Sequence, residues 1–466
     1  MDTQPRPFVP PHPTPRNRPP TRLELIRTSM RNPLEIWGEP SYAQPFISVK
    51  FLADHVVIAN HPELIRHILV ENAKNYRMAR VRQLILRPIL RDGLLTAEGE
   101  VWKRSRKAMA PVFTPRHIHG FAEMMRDRVE IFLERFRASE GTVRDIGIDM
   151  TELTYEVLAY TLFSGDIAAD DADFAEDVER LLSTMGRVDP LDLLKAPEWL
   201  PRIQRLRGRH VLEKFRGIVR DTISARRDRM REDPAGAPQD FVTLLLEAEG
   251  PDGLSAAEIE DNLITFIGAG HETTARALGW TLYLLANAPQ ERALVEDEID
   301  AVLADNPPPV EWLDRMPKTR AAFEEAMRLY PPAPSINREP VEDDTVTLKD
   351  GTRIDIPKGA TTLVMPWVLH RHRLYWDNPN AFMPSRFWPE NRDRIDRFQY
   401  LPFGAGPRIC IGATFALQEA VIALALILKE FRFEPTPELN PWPVQKLTVQ
   451  AQNGLPMRVA RRQALP

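Results

Sequence analysis

The stretch Phe403-Gly-Ala-Gly-Pro-Arg-Ile-Cys-Ile-Gly412 decides how this chain is read, because Cys410 is the only cysteine among its 466 residues. A single cysteine makes neither an intrachain disulfide nor a paired-cysteine zinc site. Free cysteine is most often a small buried hydrophobe. Here Gly404, Gly406, Gly412 and Pro407 impose a tight loop, and an apolar helical run from Ala413 to Leu428 follows at once. A thiol just ahead of a helix N-terminus has its thiolate favoured by the helix dipole and by backbone N–H groups. A thiolate on a rigid loop is what a protein needs as an axial ligand to haem iron. On the loop alone, such a ligand and a buried structural thiol are equally open.

Composition bounds the alternatives. Hydrophobic content of 43% with 27% charged residues is that of an ordinary water-soluble globular chain. The net charge of −5 gives no reason to expect nucleic-acid binding. No apolar run approaches the ~20 residues of a membrane span, and the N-terminus lacks signal-peptide architecture. The sequence therefore predicts a cytoplasmic protein without a membrane anchor. The 43 prolines favour many segments with defined stops. Residues 1–20 are rich in proline and read as a poorly ordered arm. Residues 21–466 read as one domain, since no linker or repeat interrupts them.

Along that domain the pattern is mainly helical. Ile47 to Ile58 reads as a β-hairpin, residues 73–98 as mixed and loop-like, and 99–109, 118–138, 149–163, 170–185 and 203–232 as helices. The joint at Pro197 and Pro201 reads as a turn, with a lid hinge as the alternative. Ser255-Ala-Ala-Glu258 is a capping-box signature opening the longest helix, which runs to about Asn287. Residues 341–365 form a small β-rich region with turns at Asp350-Gly351 and Lys358-Gly359. An irregular segment, 376–400, leads into the cysteine loop.

Four constellations carry chemistry. The middle of the long helix holds Gly268, Ala269, Gly270, His271, Glu272, Thr273 and Thr274 within an apolar setting. A helix-interior glycine costs about 1 kcal/mol, and a buried carboxylate needs partners. This predicts a local opening of the helical ladder where Glu272 and Thr273 handle protons beside a substrate. Glu325 and Arg328, spaced i, i+3, share a helix face, and Arg386 in Pro384-Ser-Arg-Phe387 can complete a Glu–Arg–Arg network. Trp102 and Arg106, one turn apart, form a carboxylate clamp. Arg408 lies two residues from the cysteine.

Phe403-x-x-Gly406-x-Arg408-x-Cys410-x-Gly412, Ala269-Gly270-x-Glu272-Thr273-Thr274, Glu325-x-x-Arg328, Pro384-x-Arg386-Phe387 and Trp102-x-x-x-Arg106 together resemble the cytochrome P450 superfamily of haem-thiolate monooxygenases. The resemblance implies one mostly helical domain with small β-sheets and haem b between the long helix and the cysteine loop. It implies Cys410 as the axial thiolate, Phe403 as the aromatic packed beside it, and Gly412 as a position of close backbone approach. Trp102, Arg106, Arg338 and Arg408 match haem propionate partners, and Ala269 lies against the same cofactor. Glu272 and Thr273 match the acid–alcohol pair that delivers protons to bound O2.

The same resemblance implies electrons from an external ferredoxin or flavodoxin-type donor, ultimately from NAD(P)H, since this chain has no flavin or nicotinamide fingerprint and no iron–sulfur cysteine set. Lys103, Arg104 and Lys107 form a possible docking patch for it, or generic surface charge. It implies a pocket for a lipophilic substrate drawn from Leu86, Phe266, Ala269, Ala333, Ile336 and Leu455, with Met185 and Leu194 nearby. Arg77, Arg80 or Arg82 can anchor a carboxylate or simply be solvated. The reaction expected is hydroxylation or epoxidation. A peroxide-driven peroxygenase and a non-catalytic haem-thiolate sensor are the other classes weighed, and the latter has no need of Glu272 and Thr273.

Overall fold

The computed structural model describes residues 6–51, 54–166, 191 and 202–462. The helix expected over 170–185, the Pro197/Pro201 joint, Met185 and Leu194 lie outside the described residues.

The longest described helix, Ala256–Asn287, is the axis of the structure. Ser255 accepts from the Glu258 N–H while the Glu258 carboxylate accepts from the Ser255 N–H, the predicted capping box. Most of the helix is buried all round, as its nearly unbroken apolar sequence requires. It packs against the helices Ile146–Phe163, Ile203–Glu232 and Pro317–Leu329. The ladder opening expected at Gly270–Thr273 is not present: the helix is continuous. A Cβ at Gly270 would lie 2.9 Å from Leu158 Cδ1, so this glycine serves close helix packing. Thr273 Oγ1 donates to the Ala269 carbonyl at 2.9 Å, satisfying its hydroxyl without breaking the helix.

The main sheet has five strands. β1 (Phe46–Phe51) and β2 (Asp54–Ala59) form the expected antiparallel hairpin. β3 (Tyr76–Met78) follows, and a short β4 (Val143–Asp145) belongs to a separate three-stranded sheet. β5 (Ile336–Pro340) precedes the hairpin β6 (Asp344–Thr347) and β7 (Arg353–Ile356), then β8 (Thr361–Val364). The order β1-β2-β8-β5-β3 places Arg338 opposite Met78 on one side and Thr362 on the other. Near the C-terminus come β9 (Phe431–Pro435), β10 (Pro443–Gln445), β11 (Val449–Ala451) and β12 (Pro456–Arg461).

Two expectations need correcting here. Residues 80–90, read as loop-like, form a helix, Arg80–Leu90, that buries Leu86, Ile89 and Leu90. Four arginines flanking these apolar positions, with Pro88 in the last turn, hide the period. The proline-rich arm is not poorly ordered over residues 6–20. The Phe8 carbonyl accepts from Phe382 N–H, the Pro11 carbonyl accepts from Tyr330 Oη at 2.7 Å, and Arg16 is bonded to Trp37, Glu39, Glu35 and Thr28. Proline lacks a donor but keeps its acceptor, so core donors can fasten a segment whose composition suggests disorder.

Glu325, Arg328 and Arg386 come together as the junction between the helix Pro317–Leu329 and the irregular segment. Arg328 grips Glu325 with two bonds of 2.6 and 2.8 Å. Its remaining donors go to the carbonyls of His370, Pro379 and Ala381. Arg386 Nε lies 3.5 Å from Glu325, and its Nη2 donates to the Asp377 and Asn378 carbonyls. Both Glu325 and Arg328 are fully buried, so each requires the other.

His370 extends this network to the cysteine loop, because its Nε2 accepts from the Leu401 N–H at 2.9 Å. Burial, then the neighbouring Arg328 and Arg371, holds the imidazole pKa well below its usual value. The unfolded state therefore takes up a proton below about pH 6.5 that the folded state refuses. Stability is expected to fall with pH below that point by up to about 1.4 kcal/mol per unit from this group. Denaturant unfolding of His370→Gln, whose amide can still accept from Leu401, should show a shallower pH slope; an unchanged slope would rule His370 out as its source.

Candidate active site

The cysteine loop is shaped by backbone constraints. Gly404 and Gly406 both have positive φ, +73° and +72°. A Cβ on Gly406 would lie 1.8 Å from the Leu69 carbonyl oxygen. Gly406 is thus a position of close backbone approach within the loop. Gly412 has φ −89°, and a Cβ there would meet only Phe113 at 3.9 Å, across the cavity into which the loop faces. The Cys410 N–H donates to the Phe403 carbonyl at 2.9 Å, closing the loop.

Cys410 is exposed, but to an internal cavity of about 360 Å³ rather than to bulk solvent. Phe403, Ala269, Gly270, Glu272, Thr273, Phe266, Ala333 and Ile336 share that cavity. The long helix and the cysteine loop thus face one another across it, as expected. Burial pushes the Cys410 thiol up, against the opposing pull of the Gly412 N–H and Arg106. A metal ion bound at this thiol would favour its deprotonated form.

One wall is cationic. Trp102 and Arg106 come from the helix Gly99–Met109, Arg408 from the loop and Arg338 from β5. Arg408 is bonded to Glu98 and lies 4.6 Å over the Trp102 ring. Arg106 donates to the Ile409 carbonyl at 3.0 Å. Burial pushes Arg338 down to about 10, with Arg408 and Arg82 adding to the shift and Glu98 opposing it. It remains a cation at neutral pH. Arg82, read from the sequence as a possible carboxylate anchor, also lines this cavity, as does Glu98, the N-cap of the helix Gly99–Met109.

Glu272 is 2% exposed, and its Oε1 accepts from Thr448 Oγ1 at 2.7 Å and Gln450 Nε2 at 2.8 Å. Arg276 lies 3.8 Å away. Glu272 Oε2 has no hydrogen-bond partner among the described residues. The Thr448 and Gln450 contacts span some 180 positions in sequence and carry no motif. Leu86 and Leu455, expected in the substrate pocket, are instead core residues. Leu86 faces inward from its helix while Val81, Arg82 and Ile85 line a neighbouring cavity. Leu455 packs against Gly279, and the turn residues Leu447 and Thr448 reach the Cys410 cavity in its place. Of the docking patch, Arg104 is bonded to Glu258 at 2.8 Å and Lys103 to Glu100 at 2.6 Å.

These residues fit a flat dianionic cofactor bound through its metal. One thiol faces the cavity, and the half-buried arginines nearby outnumber the carboxylate that pairs with them. The family model for cytochrome P450 matches residues 37–458. Cyclooctatin synthase of Streptomyces melanosporofaciens is 31% identical over 90% of each chain. Pentalenene oxygenase of Streptomyces avermitilis is 30% identical, covering 93% of this chain and 94% of its own. A crystal structure of a cytochrome P450, CYP102L1, superposes with a TM-score of 0.78 at 27% identity, covering 98% of this chain and 100% of that one. The chain belongs to the cytochrome P450 family of haem-thiolate monooxygenases, for which O2 is the co-substrate. Among the described residues no helix is long and apolar enough to cross a membrane.

The loop geometry has a direct consequence. Gly406→Ala is expected to destabilise the fold by more than about 2 kcal/mol, combining a left-handed backbone with a backbone clash. Gly412→Ala, which has neither, should change thermal stability by less than about 0.5 kcal/mol. Equal losses in the two variants would contradict the assignment of the close approach to Gly406.

Proposed function

We propose that this enzyme inserts one oxygen atom of O2 into a lipophilic substrate, by hydroxylation or epoxidation, with Glu272 and Thr273 serving proton delivery. Electrons come from an external ferredoxin or flavodoxin-type donor and ultimately from NAD(P)H, and the setting is cytoplasmic. The observation that carries this reading is the pairing of Cys410 on one wall of a cavity with Ala269, Glu272 and Thr273 on the facing helix.

Cys410 would hold haem b by its metal, with Trp102, Arg106, Arg338 and Arg408 as partners for its propionates, and the group would supply O2 activation. The chain's own residues position and protect. Phe113, Leu158, Leu162 and Phe266 make the cavity lining apolar and exclude bulk water. The stacking of Phe113 on Phe266, with ring centroids 5.2 Å apart, stiffens that side. Thr273 offers a hydroxyl whose own proton is engaged by the Ala269 carbonyl, so its lone pairs remain to accept a proton donor in the cavity. Glu272 is fixed at Oε1 by Thr448 and Gln450, leaving Oε2 to hold and pass a proton.

A ferredoxin-coupled assay tests this. Thr273→Ala should keep consuming reductant and O2 while product falls by about tenfold or more and peroxide takes its place. Unchanged coupling would remove Thr273 from proton delivery. Wild-type turnover with hydrogen peroxide alone at the rate seen with the ferredoxin system would favour the peroxygenase reading.

A further inference from the structure

Glu272 lies where the long helix meets the β10–β11 hairpin, and the hairpin grips it unevenly. Thr448, in the turn, donates from Oγ1 to Glu272 Oε1 at 2.7 Å. Gln450, in β11, donates from Nε2 to the same oxygen at 2.8 Å. Arg276, one helical turn along, approaches that oxygen too, at 3.8 Å. The three hydrogen-bonded residues, Glu272, Thr448 and Gln450, are only 2%, 4% and 6% exposed. Glu272 Oε2 has no hydrogen-bond partner among the described residues. The lone pairs of Oε1 are thus committed to donors while those of Oε2 are not, so a proton taken up by this carboxyl is directed to Oε2.

A clamp positions a side chain only if the clamp is itself held. Asn32, buried just after the helix Arg22–Arg31, holds β10 from the far side. Its Nδ2 donates to the Pro443 carbonyl at 2.9 Å, and its Oδ1 accepts from the Gln445 N–H at 3.1 Å. The constraint passes to β11 through the pairing of Val444 with Gln450. On the inner side the Val449 N–H donates to the carbonyl of Pro332, a residue of the Cys410 cavity wall, at 3.2 Å. At the open end the Gln452 N–H donates to the Trp442 carbonyl at 2.8 Å, and Trp442 Nε1 donates to Glu35 at 3.2 Å. The hairpin is therefore a fixed body, and the two donors it presents to Glu272 are fixed with it. Two charge-assisted bonds outweigh the rotamer freedom a glutamate gives up on being held.

We propose that Thr448 and Gln450 are positioning residues for proton delivery: they pin Glu272 by Oε1, so that the carboxyl does not turn and the proton it passes is carried on Oε2. This deepens the monooxygenase reading and rests on it. Both residues act through Glu272. Loss of one donor leaves the other in place and frees the carboxyl in part, so each contributes separately to its orientation. Loss of both leaves Glu272 with only the more distant Arg276 near Oε1, and the carboxyl then turns about its own side-chain bonds while the helix beneath it stays continuous.

The test follows the infrared C–O stretch of the reduced carbon-monoxide adduct, a vibration that shifts with the polar groups beside the bound molecule. Haem-loaded wild type is compared with Thr448→Val, Gln450→Met and Thr448→Ser, and the first two are repeated in a Glu272→Ala background. Thr448→Val and Gln450→Met keep roughly the size of the side chain without its donor, and each should shift or split the band as Glu272 turns. Thr448→Ser retains the hydroxyl and should hold the band at its wild-type position. With Glu272 replaced by alanine, neither Thr448→Val nor Gln450→Met should add a further shift. An unshifted band in either variant, or a shift that persists undiminished in the Glu272→Ala background, would overturn the proposal. A lowered thermal midpoint with an unshifted band overturns it too, by giving the hairpin donors a structural role alone. Gln450→Met carries the test by itself if Thr448→Val does not fold. A wild-type adduct without the red-shifted band of a thiolate-ligated haem would instead sink the underlying monooxygenase reading, and is recognisable before any variant is made.

Discussion

Arg82, Arg106, Arg338 and Arg408 converge on the wall of one interior cavity, where Glu98 is the carboxylate that pairs with Arg408. Taking several cations out of water for one carboxylate is unfavourable unless further anions arrive. The site is therefore incomplete as a polypeptide. The propionates of a bound haem, with its metal-bound thiolate, would balance that charge.

Holding such a site open requires a scaffold that does not collapse into it. The fully buried Glu325–Arg328 pair supplies much of that rigidity. Among the described residues, the hydrogen bonds donated by Arg328 reach either Glu325 or a carbonyl in the segments around His370 and Pro379–Ala381. From His370 the constraint passes to Leu401, at the head of the cysteine loop. The loop is thus held by His370 at its head and packed closely on Leu69 at Gly406 within it. The arm over residues 6–20 adds to the same body through Tyr330 and Phe382.

What could be read in the sequence was whatever local chemistry imposes. The Ser255–Glu258 capping box, the β1–β2 and β6–β7 hairpins, the lone cysteine among glycines and the i, i+3 spacing of Glu325 and Arg328 are each local patterns. What could not be read depends on contacts between distant segments. Thr448 and Gln450 hold Glu272 from across the chain, without any signature of their own. Leu455 resembled a pocket residue but packs against Gly279, whereas Leu447 and Thr448 are at the cavity. The glycines of the long helix suggested an opened ladder, and Gly270 turned out to admit Leu158. Arg82 was one of three equivalent arginines until the helix Arg80–Leu90 set it on the cavity wall.

The account stands or falls on the bond between Cys410 and a haem iron. The direct measurement is the reduced carbon-monoxide difference spectrum of the purified protein beside that of Cys410→Ala, each with its haem content determined. Wild type should show the red-shifted band of a thiolate-ligated haem at one haem per chain, and the variant should lose that band. A variant that keeps the same band at the same haem content would contradict the account, because the thiolate would then have to come from a chain with no second cysteine.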